Sequence, residues 1–212
     1  MPVLIDEAAK EKALRHWVLP ACLHVPVAAV DESAIRDYIG DVEQVLADGS
    51  PRKALLVKIA EPPVIDPLLP ISDHPNAGIF HARRQVWVHI AFTRYRNAYR
   101  KAFPDEVIAD KILSHAMNRR TAALKGFEYV RITPVSRGCN SSSGFSEQWG
   151  VALHGSPEQI ARRRIRPPFI QYGDLSDLML MLEMKLGGGV MDAVNEGQRL
   201  VRARPTTLES SY

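Results

Sequence analysis

Cysteine is scarce in this chain: Cys22 and Cys139 are the two present among 212 residues, far apart and outside any CxxC spacing. That excludes a disulfide-stapled scaffold and a cysteine-based zinc cluster, and it fits a reducing compartment, so a cytoplasmic location is expected. Long hydrophobic runs are missing as well. The strongest, such as Leu178 to Leu182, fall far short of the roughly 20 residues needed to cross a bilayer, so no membrane partner is expected. The opening MPVLIDEAAKEK lacks the basic start and apolar stretch of a secretory signal. No HExxH, no carboxylates at metal-ligand spacing and no GxxxxGKS/T occur, so neither a metal nor a cofactor is expected.

What is present is ordinary in total and uneven in detail. A chain with 46% hydrophobic and 24% charged residues can bury a full core. Residues 1–80 carry seven Lys/Arg against twelve Asp/Glu, a balance of −5, whereas residues 81–137 carry twelve against four, or +8. A concentrated basic middle is the footprint of a phosphate or nucleic-acid surface, or of a face that docks the acidic N-terminal region of the same chain.

Periodicity predicts an α+β fold: a helix-rich single domain with an N-terminal helical part and a small, mainly antiparallel sheet in the second half. Helices are expected near residues 5–19, from the N-cap Asp31 to Gly49, from Phe80 to Phe103, and from Asp105 to Gly126. Two more are expected at the C-terminal end, over DLSDLMLMLEMKL and VMDAVNEGQRLVRA. Strands are expected at KALLVKIA, FEYVRITPV, WGVALH and FIQY. The five prolines of residues 61–78 suggest a linker or covering loop between an acidic part, 1–60, and a basic core, 79–204, with a polar tail at 205–212; one continuous domain over 1–204 is the alternative.

Three constellations could carry chemistry. In ILSHAMNRRTAALKG, a helix would set His115 four residues from Arg119, with Arg120 beside them. Histidine next to guanidinium groups loses proton affinity and can serve as a base, while arginine forks suit phosphate oxygens. The stretch KGFEYVRITPVSRGCNSSSG reads as a strand ending in a donor-rich loop, which makes Arg131, Arg137, Asn140, Ser141, Ser142 and Ser143 candidate phosphate ligands. Basic residues interleaved with aromatics, Arg94, Arg96, Arg100 and Lys101, together with Arg162, Arg163 and Arg164, form a candidate nucleic-acid surface. Against each stands a plain structural reading: a half-buried histidine, a solvated hairpin, a core stripe with solvated flanks.

The expectation that follows is a nucleic-acid-binding protein. In its enzymatic form it is a metal-independent phosphodiesterase or nuclease, with His115 and His154 as base and acid and Arg119 stabilising the phosphorane charge. The alternative is a non-enzymatic adaptor that docks nucleic acid or an acidic protein through the basic middle. A small-molecule phosphate-ester enzyme is a third possibility.

Overall fold

The computed structural model describes residues 25–60, 69–80, 82–139, 169–173, 175–184 and 190–201. Among them, seven strands form one sheet: β1 (Pro26–Ala29), β2 (Gly40–Ala47), β3 (Ala54–Ile59), β4 (Arg84–His89), β5 (Lys111–His115), β6 (Tyr129–Ser136) and β7 (Ile170–Tyr172). Five short helices accompany it: α1 (Glu32–Tyr38), α2 (Tyr95–Ala102), α3 (Arg119–Lys125), α4 (Leu175–Met181) and α5 (Val190–Val201). Two 3₁₀ turns, Pro70–Asp73 and Ala77–Phe80, precede β4. The strand order is β2-β3-β4-β6-β1-β7, with every pairing antiparallel, and the sheet curls into a half-barrel.

The long strand β6 organises this sheet. One of its edges pairs with β4 over Tyr129 to Ile132. Its other edge holds two strands end to end: β1 opposite Tyr129 and Val130, and β5 opposite Ile132 to Ser136. Both faces of the sheet are covered. Leu56, Val86, Val88, Val130 and Ile132 pack with Tyr99 and Ala102 of α2, Phe80, and Leu178 and Met181 of α4. Leu55, Val57, Trp87 and Tyr129 pack with Ile35 of α1. Burial on two faces explains why β3 and β4 read as continuous apolar runs instead of alternating ones.

The helix-rich expectation is therefore corrected to a sheet-dominated fold. The described part of residues 1–60 holds three strands and a seven-residue helix, so it is no helical part, and strands begin at Pro26 rather than in the second half. Asp31 does cap α1, its carboxylate accepting from the Ala34 N–H at 2.7 Å, but the helix ends at Tyr38 and Gly40–Ala47 form β2. At Gly40 the chain passes so close to β3 that a Cβ would lie 2.1 Å from the Lys58 carbonyl oxygen. The expected helix 80–103 divides into β4, a turn and α2. Likewise, the expected helix 105–126 divides into β5 and α3. Asn118 caps α3, accepting from the Arg120 and Thr121 N–H groups, and Gly126 closes it at φ 82°. The strands at 53–60, 127–135 and 169–172 appear as β3, β6 and β7, and the two C-terminal helices as α4 and α5. The expected helix near 5–19 and the strand 149–154 lie outside the described residues.

Candidate anion-binding cavity

Because β4 starts at Arg84 and its pairing with β6 ends at Ile132, β6 runs on to Ser136 with no described strand along that edge. A cavity of about 380 Å³ opens there. Arg131, Ile132, Thr133 and Pro134 of β6 line it, with Arg84, Gln85 and Val86 of β4. Tyr99, Phe103, Glu106 and Lys111 close it on one side, and Ile79, Met181 and Glu183 on another.

Arg131 dominates this cavity. Its side chain is 2% exposed, and its Nη2 donates to the Ile79 carbonyl oxygen at 2.7 Å. Among the described residues the buried Nε and Nη1 have no hydrogen-bond partner, and neither does the buried Oγ1 of Thr133, two residues along the same strand face. No carboxylate among the described residues pairs with Arg131. Burial pushes its pKa down to about 10, so the guanidinium keeps its charge at neutral pH. An unpaired ion taken out of water costs several kcal/mol, and each orphaned donor adds to that.

The other charged groups of the lining are already engaged. Lys111 is ion-paired with Glu183, and Arg84 with Glu43 at 2.8 Å. The Tyr99 hydroxyl donates to Glu106 at 3.0 Å, and burial with that carboxylate raises its pKa. Gln85 accepts from Trp87 Nε1 and donates to the Ala82 carbonyl oxygen, both at 3.3 Å.

Of the described residues singled out in the sequence, Arg131 alone lines this cavity. His115 ends strand β5 instead of lying on a helix, so its four-residue spacing from Arg119 makes no helical pair. Its ring meets Tyr95 edge-on at 4.7 Å, its Nε2 is buried without a partner, and burial plus the nearby Arg119 lower its pKa to about 4. At neutral pH it is an uncharged ring sealed from solvent at Nε2. Arg119 and Arg120 are exposed at the start of α3, Arg119 reaching the Ile90 carbonyl oxygen at 3.4 Å. Arg94, Arg96 and Arg100 are exposed around α2, and Lys101 donates to the Leu46 carbonyl oxygen at 3.0 Å. Arg137 is exposed in a helical turn after β6. Asn140, Ser141, Ser142, Ser143, His154, Arg162, Arg163 and Arg164 lie outside the described residues.

The sequence reading did not single out Thr133, Glu106, Lys111 or Glu183 as site residues. One signal was available: in YVRITPV an arginine occupies a strand position whose neighbours are all core-type residues. Compared with family models, with curated proteins and with solved structures, the chain finds no match, so its function is argued from this geometry alone.

Proposed function

We propose that this protein binds a small anionic molecule in the cavity beside Arg131. The observation that carries the reading is a fully buried guanidinium whose Nε and Nη1 have no partner among the described residues and which borders a cavity of about 380 Å³. A bound anion would neutralise the ion and satisfy donors that the protein leaves idle, as buried charges require. The cavity falls in the size range of small-molecule sites, roughly 300–1,000 Å³. We assign the protein to the cytoplasm because its sequence holds only two cysteines, far apart in the chain, of which Cys139 is a buried free thiol.

Thermal melts of the purified protein with inorganic phosphate, sulfate and straight-chain carboxylates from acetate to octanoate test this. A ligand at 100 times its Kd should stabilise the wild type by about 2.7 kcal/mol. Arg131→Met, checked for folding by circular dichroism, should not respond. If no anion raises the melting temperature at millimolar concentration, Arg131 is a structural charge and the reading fails.

A second reading is favoured by a different observation: Arg94, Arg96, Arg100 and Arg120 are exposed, and none is paired with a carboxylate among the described residues. Such a surface suits a polyanion, nucleic acid or acidic protein, and its binding would weaken steeply with salt. No observation among the described residues favours the phosphodiesterase form of that reading.

A further inference from the structure

We propose that the ligand of the Arg131 cavity is a monocarboxylic acid with an apolar tail; this rests on the anion-site reading above. Three features select that chemistry. The first is charge. Of the three cations lining the cavity, Lys111 is held by Glu183 and Arg84 by Glu43, leaving Arg131 as the one lining cation with no carboxylate partner among the described residues. Glu106 and Glu183 also line the space, so a second negative charge on the ligand would face carboxylates rather than cations.

The second is shape. A guanidinium carries five N–H donors in one plane, and Arg131 uses Nη2 alone, on Ile79. The planar pair of carboxylate oxygens matches that fork, and side chains of the lining must shift for it to reach Nε, Nη1 and the Thr133 hydroxyl, which the protein covers. The third is the wall. Ile79, Val86, Phe103, Ile132, Pro134 and Met181 present apolar surface to the same space. That surface holds a tail by burial.

The experiment is titration calorimetry of the full chain with a graded series: acetate, butyrate, hexanoate and octanoate, set against inorganic phosphate, octyl phosphate and octanol. Affinity should rise roughly fourfold per methylene up the carboxylate series, as burial of each group requires. Arg131→Met should lose octanoate binding at least a hundredfold while leaving octanol little changed. Thr133→Val, a nearly isosteric change, should lose several-fold for every carboxylate. Glu106→Gln should improve octyl phosphate binding while leaving octanoate within about twofold, since it removes a carboxylate that opposes the second charge.

Phosphate binding that depends on Arg131, with carboxylates inert, would overturn this inference and leave the anion site standing. Carboxylate affinity that does not grow with chain length would overturn the apolar tail. An Arg131→Met variant that binds every ligand as the wild type does would overturn the inference and the anion-site reading together.

Discussion

Residues 115 and 131 sit on neighbouring strands, with His115 opposite Ile132, and the buried Nε2 of the histidine and Nε and Nη1 of the arginine have no hydrogen-bond partner among the described residues. Burial acts on both in the same direction, lowering the affinity for the proton, yet with opposite consequences. The histidine starts from 6.5 and falls to about 4, so at neutral pH it has shed its charge and costs the fold one idle acceptor or donor. The arginine falls only to about 10 and keeps its charge. A buried group that can discharge adapts to its surroundings; one that cannot must be met by a counter-charge from elsewhere. This is why the cavity, and not the histidine, marks the candidate site, although the histidine has the more familiar catalytic chemistry.

The comparison can be broken by changing what each position carries. Arg131→Glu puts a carboxylate into a space already lined by Glu106 and Glu183, and should destabilise the fold by about 4 kcal/mol or more, read as a lowered urea midpoint. A smaller loss found there would show that the position is less dry than its burial implies.

His115 sharpens the comparison through pH. Its folded pKa lies below its unfolded one, so between pH 6.5 and about 4 the unfolded chain binds a proton that the folded chain refuses. Stability should be intact above 6.5 and fall by about 3 kcal/mol as the pH approaches 4. Burial lowers the pKa of His74 and His89 as well, so the contribution is read as the difference between wild type and His115→Phe across that window. Parallel curves for the two proteins would refute it.

The smallest effect is the most telling. Without added ligand, Arg131→Met should be neutral or stabilising by up to about 2 kcal/mol, because it removes an unpaired ion while keeping much of the volume. A clear loss of stability would mean that the bond to Ile79, or a counter-charge from the chain itself, already satisfies the guanidinium.

Local signals in the sequence were readable where the chemistry is local. Asp31 as a cap, Gly126 as a helix stop, and β3 and β6 as apolar segments all follow from a few adjacent residues, whereas Asn118, expected inside the 105–126 helix, caps α3 instead. The long helices failed because three- and four-residue spacing of apolar groups does not exclude a strand with bulges. Val42 and Leu46, four residues apart inside the helix expected from Asp31 to Gly49, pack against opposite faces of the sheet, with register shifts in β2 between Val42 and Gln44 and between Val45 and Ala47. Within the helix expected from Phe80 to Phe103, Val88, Phe92, Tyr95, Tyr99 and Ala102 recur at helical spacing, yet the chain is helical only from Tyr95 onward and Val88 is paired with Val130 on β6.

By itself, the sequence determined the caps and stops, the apolar segments, the basic middle and the presence of an arginine in a core strand. Those properties depend on residues near one another in the chain. Which apolar segments became strands, that β4 stops short along β6, and that Arg131 and Thr133 share a cavity with Glu106, Lys111 and Glu183 were decided by tertiary pairing alone. Burial is a property of the assembled sheet, and it is burial that turns one arginine among many into a charge in need of a partner.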